Sequence, residues 1–270
     1  MHKFGWLQDA PDSRDRNITQ LLSATYAALP QMKGYIAERV NLQDALPTPL
    51  DQGPTSACVG KSIKGAIATR RKLLGMNNPK IPREQWERLP SSRWPYWGGR
   101  TTHNAETLDG GTHIRGACRA MAFLGVCPED IMPFIPEEIN TPPSWNAFRA
   151  AYDQRWVQGY YRVLTSGEER IKEMKQALTA GFPIVFGMQV DSSWIGYNSG
   201  VIERSDTSKI IGGHATFLYG YQDGVFLGQN SWGAGWGLAG RYQLREAALT
   251  DSHVADITVI ETPPFDTGTR

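Results

Sequence analysis

The sequence predicts an α+β chain built as two lobes with a cleft between them. Three observations carry this. Apolar residues after Cys58 recur at steps of three and four, the spacing of an amphipathic helix. From Phe182 onward the pattern changes to short runs rich in β-branched and aromatic residues, the signature of strands. The chain has 270 residues and a 40% hydrophobic share, enough for a real core in one large domain or in two lobes. The expected organisation is a leader over residues 1–50, a mainly helical lobe over 51–155 and a mainly β lobe over 156–270.

The leader begins with a turn-rich stretch, continues into a short helix near Thr19 to Ala28 and ends extended at LPTPL, where Pro47 and Pro49 disfavour helix. After Cys58, the residues Val59, Ile63, Ala66, Ile67, Arg70, Leu73 and Leu74 fall on helical steps, and Gly75 reads as the stop. Prolines clustered around 79 to 95 predict a loop or connector. A second helix is expected from Thr112 to Leu124, with Ile114, Ala117, Cys118, Met121 and Ala122 on one face and Gly125 ending it. A third runs over Gly167 to Ala180. Strands follow at PIVFGMQV, ATFLYGYQ, GVFLGQN, GRYQL and ADITVIE.

Composition excludes several function classes. With 28 basic and 27 acidic residues the net charge is +1, so the chain has no broad electrostatic footprint for nucleic acid. The longest mostly apolar stretch, FPIVFGMQV, is too short to span a bilayer. The N-terminus turns polar before a signal-like apolar block can form, which predicts a chain without a secretion signal, located in the cytoplasm or carried in a larger particle such as a virion. Three cysteines, Cys58, Cys118 and Cys127, cannot all pair within one chain. No CxxC occurs and the histidines are scattered, so neither a metal site nor any other cofactor is expected.

The chemistry concentrates at residues 51 to 62, DQGPTSACVGKS. Gly60-Lys61-Ser62 resembles the tail of a phosphate-binding loop, but such a loop needs a glycine at position 55, which is Thr, and no apolar strand precedes it. A thiol reading fits better. A cysteine opening a helix sits where backbone N–H groups and the helix dipole favour an anion, which lowers a thiol's pKa to about 3.5–7.5 in good cases. A thiolate nucleophile needs a base, and the base an orienting partner. Downstream, His214 starts the apolar strand ATFLYGY and Asn230 ends GVFLGQ, with a turn at Gln222-Asp223-Gly224 between them. Antiparallel pairing of the two strands would bring His214 and Asn230 together, with one ring nitrogen bonded to Asn230 and the other facing Cys58. Trp232 and Trp236 follow at once, placed to shield that hydrogen bond and wall the cleft on the leaving-group side. Cys118, on the apolar face of a helix, and Cys127, just past a turn, read as structural thiols. His2, His103, His113 and His253 have no such context, and nothing decides whether Trp94, Tyr96 and Trp97 line the cleft.

These motifs resemble the papain-like cysteine peptidases. DQGPTSAC parallels that family's glutamine and its cysteine at the head of the central helix, with the same six-residue step. GGHATFLYGY parallels its histidine strand, and NSWGAGWGLAGRYQL its asparagine box, sixteen residues from His214 to Asn230. LDGGTHIRGACRAMAFLGVCPEDIMPF resembles the double-glycine segment and the helix after it, and GWLQDAPDSRD the start of bacterial and phage members that lack a long propeptide. The resemblance covers roughly residues 5 to 260. It implies a single catalytic domain of two lobes, the helical one bearing the cysteine helix and the other an antiparallel, barrel-like β lobe bearing histidine and asparagine. It further implies peptide hydrolysis: Cys58 as thiolate nucleophile, His214 as its ion-pair partner and proton donor to the leaving amine, and Asn230 orienting His214. Gln52 and the backbone N–H of Cys58 would form the oxyanion hole. Gly110 or Gly111 would pair with the substrate backbone, since a bare glycine permits close approach.

Three departures matter. Papain carries a cysteine shortly before the nucleophile and a tryptophan directly after it, where this chain has Thr55 or a neighbour and Val59. Gly213 precedes His214 where many members have Asp or Asn. Three readings follow: a cysteine peptidase acting on peptides or proteins; a papain-like module retained for binding or assembly, for instance in a phage particle; and a related Cys–His hydrolase of cell-wall peptides or an acyl transferase to amines.

Overall fold

In the computed structural model, the described residues are 3–203 and 205–265. Helix α1 covers Ile18–Ala28, with the Asn17 side chain accepting from the Thr19 N–H as its N-cap. The two-residue strand β1, Val40–Asn41, follows. The central helix α2, Cys58–Met76, is buried on nearly every side. Next come α3 (Arg83–Glu87), α4 (Arg93–Thr101), α5 (Ile114–Leu124) and α6 (Trp145–Asp153). Strand β2 (Gly159–Arg162) and helix α7 (Gly167–Thr179) lead into β3 (Ile184–Asp191) and the short α8 (Ser192–Ile195). The chain then forms β4 (Ile210–Gln222), β5 (Val225–Gln229), β6 (Arg241–Arg245) and β7 (Val254–Glu261).

Among the described residues, all seven strands join one antiparallel sheet in the order β2-β7-β3-β4-β5-β6, with β1 also on β4. The β4–β5 hairpin turns at Asp223-Gly224, whose φ angles are 47° and 75°; two positive φ values are what a two-residue loop matching strand twist requires. Because successive strand side chains point to opposite faces, β3 feeds two cores. Ile184, Phe186 and Met188 join α1 and α7 in one, while Val185 joins α2 and α5 in the other. At Gly65, α2 lies so close to β4 that a Cβ would stand 2.2 Å from the Phe217 ring.

Several expectations change. Helix α2 continues one residue past Gly75, which serves as a contact rather than a stop: a Cβ there would sit 2.1 Å from the Trp86 ring. The proline-rich stretch contains α3 and α4. Pro82 stands at the cap of α3 and Pro95 in the first turn of α4, where a missing N–H leaves no intrahelical bond unmade. Helix α6 and strands β1 and β2 were not legible, although the Ser144 hydroxyl accepting from the Ala147 N–H is an ordinary N-cap after Pro142-Pro143. Within the expected leader, α1 packs in a core and β1 pairs with β4 in the sheet. Among the described residues, no helix is long and apolar enough to cross a membrane.

Candidate active site

The approach to α2 is a chain of local hydrogen bonds. Asp51 accepts from the Gly53 N–H at 2.8 Å, and the Thr55 hydroxyl donates to the Gln52 carbonyl at 2.8 Å. These bonds set Cys58 at the first helical position, fully buried. Gln52 is held from both ends. Its backbone N–H donates to the Ser231 carbonyl at 2.9 Å, and its Oε1 accepts from the Ser231 hydroxyl at 2.8 Å. Its Nε2 donates to the carbonyls of Thr55 at 2.6 Å and Lys3 at 3.0 Å.

On the sheet side, His214 Nε2 and Asn230 Oδ1 lie 2.7 Å apart. Asn230 Oδ1 also accepts from the Ser231 N–H at 2.7 Å, which fixes the amide orientation. Nε2 therefore carries the ring proton, and in the neutral imidazole Nδ1 is the basic nitrogen. Trp232 lies over the imidazole with ring centres 4.7 Å apart. Trp236 packs behind Trp232 at 5.3 Å, and its indole N–H donates to the Trp194 carbonyl, so it belongs to the core wall. The backbone N–H of Ala215, next to His214, is among the groups that lower the Cys58 thiol, which places the nucleophile candidate near the head of the histidine strand.

Gly111 has φ +92°, a left-handed conformation that favours glycine, and a Cβ there would stand 2.5 Å from the Gly5 carbonyl oxygen. The Tyr96 hydroxyl accepts from the Gly111 N–H at 3.1 Å and donates to Asp109 at 2.7 Å, pinning the glycine segment. Tyr96 is thus a buried support of the cleft, a role its sequence context did not reveal. Gly110 faces open space.

The cleft is filled by the N-terminus of the same chain. The Trp6 N–H donates to the Gly213 carbonyl at 3.0 Å, the Thr112 N–H to the Gly5 carbonyl at 2.8 Å, and the Leu7 N–H to the Thr112 carbonyl at 3.1 Å, a parallel bridge between Trp6 and Thr112. The Gly5 N–H also lowers the Cys58 thiol. Phe4 stands edge-on to His214 and to Trp232, at 6.3 and 6.2 Å. This covering reverses the expected titration of the nucleophile: burial pushes the Cys58 thiol up to about 11, against the lowering by its N–H donors. Cys127 is pushed up to about 12 and Cys118 higher still, both by burial, and all three cysteines are free.

The other histidines lie elsewhere. His103 and His113 pack edge to face, 5.1 Å apart, and His253 is beside Asp251 at 3.6 Å. His2 lies outside the described residues. Sequence reasoning missed Ser231, Asp109 and the seating of Lys3–Leu7. The one available signal for the last was the pair Phe4 and Trp6, two large aromatics in an otherwise polar start.

Comparison with known proteins agrees with this architecture. The pattern of the family described as papain family cysteine protease matches residues 107–261, a span containing His214 and Asn230. An uncharacterised peptidase C1-like protein of Acanthamoeba polyphaga mimivirus is 28% identical over 278 residues, covering 96% of this chain and 86% of that protein. Xylellain, a cysteine protease from Xylella fastidiosa, superimposes with a TM-score of 0.78 at 25% identity over 96% of each chain. The Carica candamarcensis cysteine protease CMS1MS2, solved in complex with E-64, shares the fold with a TM-score of 0.63 at 19% identity, over 85% of this chain and all of that one. On the family match, the two-lobed α+β fold and these relatives together, the chain belongs to the papain family of cysteine proteases.

Proposed function

We propose that the chain hydrolyses peptide bonds through Cys58, His214, Asn230 and Gln52, and that the arrangement described here is its closed form, held by the leader. The carrying observation is that the cleft grips a peptide: Gln52 Nε2 donates to the Lys3 carbonyl at 3.0 Å, the Thr112 N–H to the Gly5 carbonyl at 2.8 Å and the Trp6 N–H to the Gly213 carbonyl at 3.0 Å. In the reaction, His214 Nδ1 takes the thiol proton and the thiolate attacks the substrate carbonyl carbon. The resulting oxyanion is stabilised by Gln52 Nε2 and the Cys58 N–H. The tetrahedral adduct collapses, the C–N bond breaks, and His214 gives its proton to the leaving amine. Water, deprotonated by His214, then cleaves the thioester and regenerates the thiol. Asn230 keeps Nε2 occupied, so that Nδ1 remains the exchanging nitrogen. Gly111, and Gly110 beside it, would receive the substrate backbone, with Trp232 walling the leaving-group side and Trp236 supporting it.

The leader's direction would protect it from cleavage. Phe4, near the leading end, is the residue against His214 and Trp232, on the leaving-group side, and Trp6 lies beyond Cys58 on the acyl side. A substrate has its N-terminal residues on the acyl side, so the leader runs backwards. The test is labelling by E-64, read by mass spectrometry at the Cys58 peptide. Slow labelling of the intact chain, rapid labelling of Trp6→Ala and none in Trp6→Ala/His214→Ala is the expected pattern. An unlabelled Cys58 in folded Trp6→Ala would sink the proposal.

A further inference from the structure

The leader's side chain beyond Cys58 occupies a built pocket. Trp6 is 5% exposed, and its indole N–H donates to Asp256 Oδ2 at 2.8 Å. The pocket floor is Gly187 on β3: a Cβ there would stand 2.0 Å from Trp6 Cε2, so any side chain at this position would evict the ring. Gly213 forms a second bare wall, where a Cβ would stand 3.0 Å from Trp6 Cε3.

Asp256 is aimed into this pocket by the backbone. Pairing of β3 with β7 shifts register between Val185 and Gly187, so two residues of β7 oppose one of β3. Asp256 sits in that bulge with φ +57°, a left-handed conformation that a non-glycine residue rarely adopts. Bulges re-aim side chains, and strain of this kind collects at functional positions. The carboxylate is 97% buried at its side chain and held at Oδ1 by Arg162 at 2.6 Å. Its Oδ2 receives two donors, both from the leader: the Trp6 indole and the Asp9 N–H at 2.9 Å. Arg162 in turn bonds Asp9 at 2.7 Å.

We infer that this pocket is the specificity pocket of the peptidase proposed above, and that it selects substrates with a tryptophan side chain on the acyl side of the cleaved bond. The inference rests on that reading of the cleft. When Trp6 leaves, Asp256 Oδ2 loses its indole donor and keeps only the Asp9 N–H, while Arg162 still holds Oδ1. A buried carboxylate oxygen short of a donor is costly, so a substrate ring that brings an N–H is favoured over one that does not. A cationic side chain gains less, because Arg162 already balances the Asp256 charge. The slot between Gly187 and Gly213 fits a flat, two-ring side chain.

The test uses the full chain carrying Trp6→Ala, with E-64 labelling of Cys58 run in parallel. A library of acetylated tetrapeptide fluorogenic amides, varied at each position, reads the preference. We expect one position at which tryptophan exceeds phenylalanine by roughly tenfold or more in kcat/KM, the scale of one unsatisfied buried acceptor. Adding Gly187→Ala should abolish that preference and favour small side chains at the same position while Cys58 still labels. A labelled Cys58 with no tryptophan preference, or with an arginine preference, would overturn the pocket assignment and leave the peptidase reading standing. A Cys58 that does not label would overturn both.

Discussion

At the start of α2, Cys58 is sealed from water by Lys3–Leu7; in the middle of α5, Cys118 is sealed by the core itself. Both are completely buried, and burial raises the pKa of both thiols. The surroundings differ. At the head of a helix, the N–H groups of Ala215 and Gly5 lower the Cys58 thiol against that burial, and its cover is a peptide strand joined to the cleft by hydrogen bonds. Cys118 lies among apolar side chains with Ile114, Ala117 and Met121. The cover of Cys58 is a local segment and that of Cys118 the packed core. Burial alone therefore does not separate a candidate nucleophile from a structural thiol; what covers it does.

The largest test of this contrast is catalytic. In the Trp6→Ala chain, His214→Ala should lower peptide kcat/KM by about 10⁶-fold, the scale seen when a triad base is lost. Gln52→Ala should lower it by about 10²–10³-fold. Cys118→Ala in the same background should leave it unchanged; a loss there would break the distinction between the two thiols.

Next in size is the release of the leader. Truncating a buried Trp costs about 3–5 kcal/mol, so Trp6→Ala should speed E-64 labelling of Cys58 by roughly a hundred- to a thousandfold. Alkylation of Cys118 by iodoacetamide should stay negligible until the chain is denatured. Equal labelling of Cys58 in both forms would mean that the leader does not control access.

The pH dependence should follow the same cover. In the closed form the Cys58 pKa is raised to about 11, so the protonated thiol favours closure. That contribution is complete below the ordinary thiol value of about 8.5 and is lost as pH rises through about 11. Alkylation of Cys58 in the intact chain should therefore inflect near pH 11, and in Trp6→Ala below about 8.5, where the helix N-terminus and His214 dominate. Coincident profiles would show that the leader is not what raises the thiol. The smallest effect is structural: Cys118→Ala should lower the unfolding free energy by about 1–2 kcal/mol, measured by urea denaturation, without moving the Cys58 profile.

Much of this site was readable as text. Gln52, Cys58, His214 and Asn230 stand in local motifs whose residue types chemistry restricts: a thiol at a helix start, an imidazole on an apolar strand, an amide beyond a two-residue hairpin. The hairpin was readable too, because Asp223-Gly224 tolerates the two positive φ values its turn needs. The supports were not. Ser231 bonds Gln52 across 179 residues, and a serine hydroxyl looks alike wherever it occurs. Tyr96 reaches Asp109 and Gly111 only after α4 folds through a proline that suggested a loop.

By itself, then, the sequence determined the order and kinds of the candidate site residues, the helix that presents Cys58 and the strands that pair His214 with Asn230. These depend on periodicity, turn chemistry and side-chain type, all local properties. Tertiary structure alone decided that Trp6 meets Asp256 across 250 residues, that Asp256 turns inward at a bulge and that burial raises the Cys58 thiol. A pKa is set by what surrounds a group in space, and a pocket by which distant backbones leave room, so neither can be read one neighbour at a time.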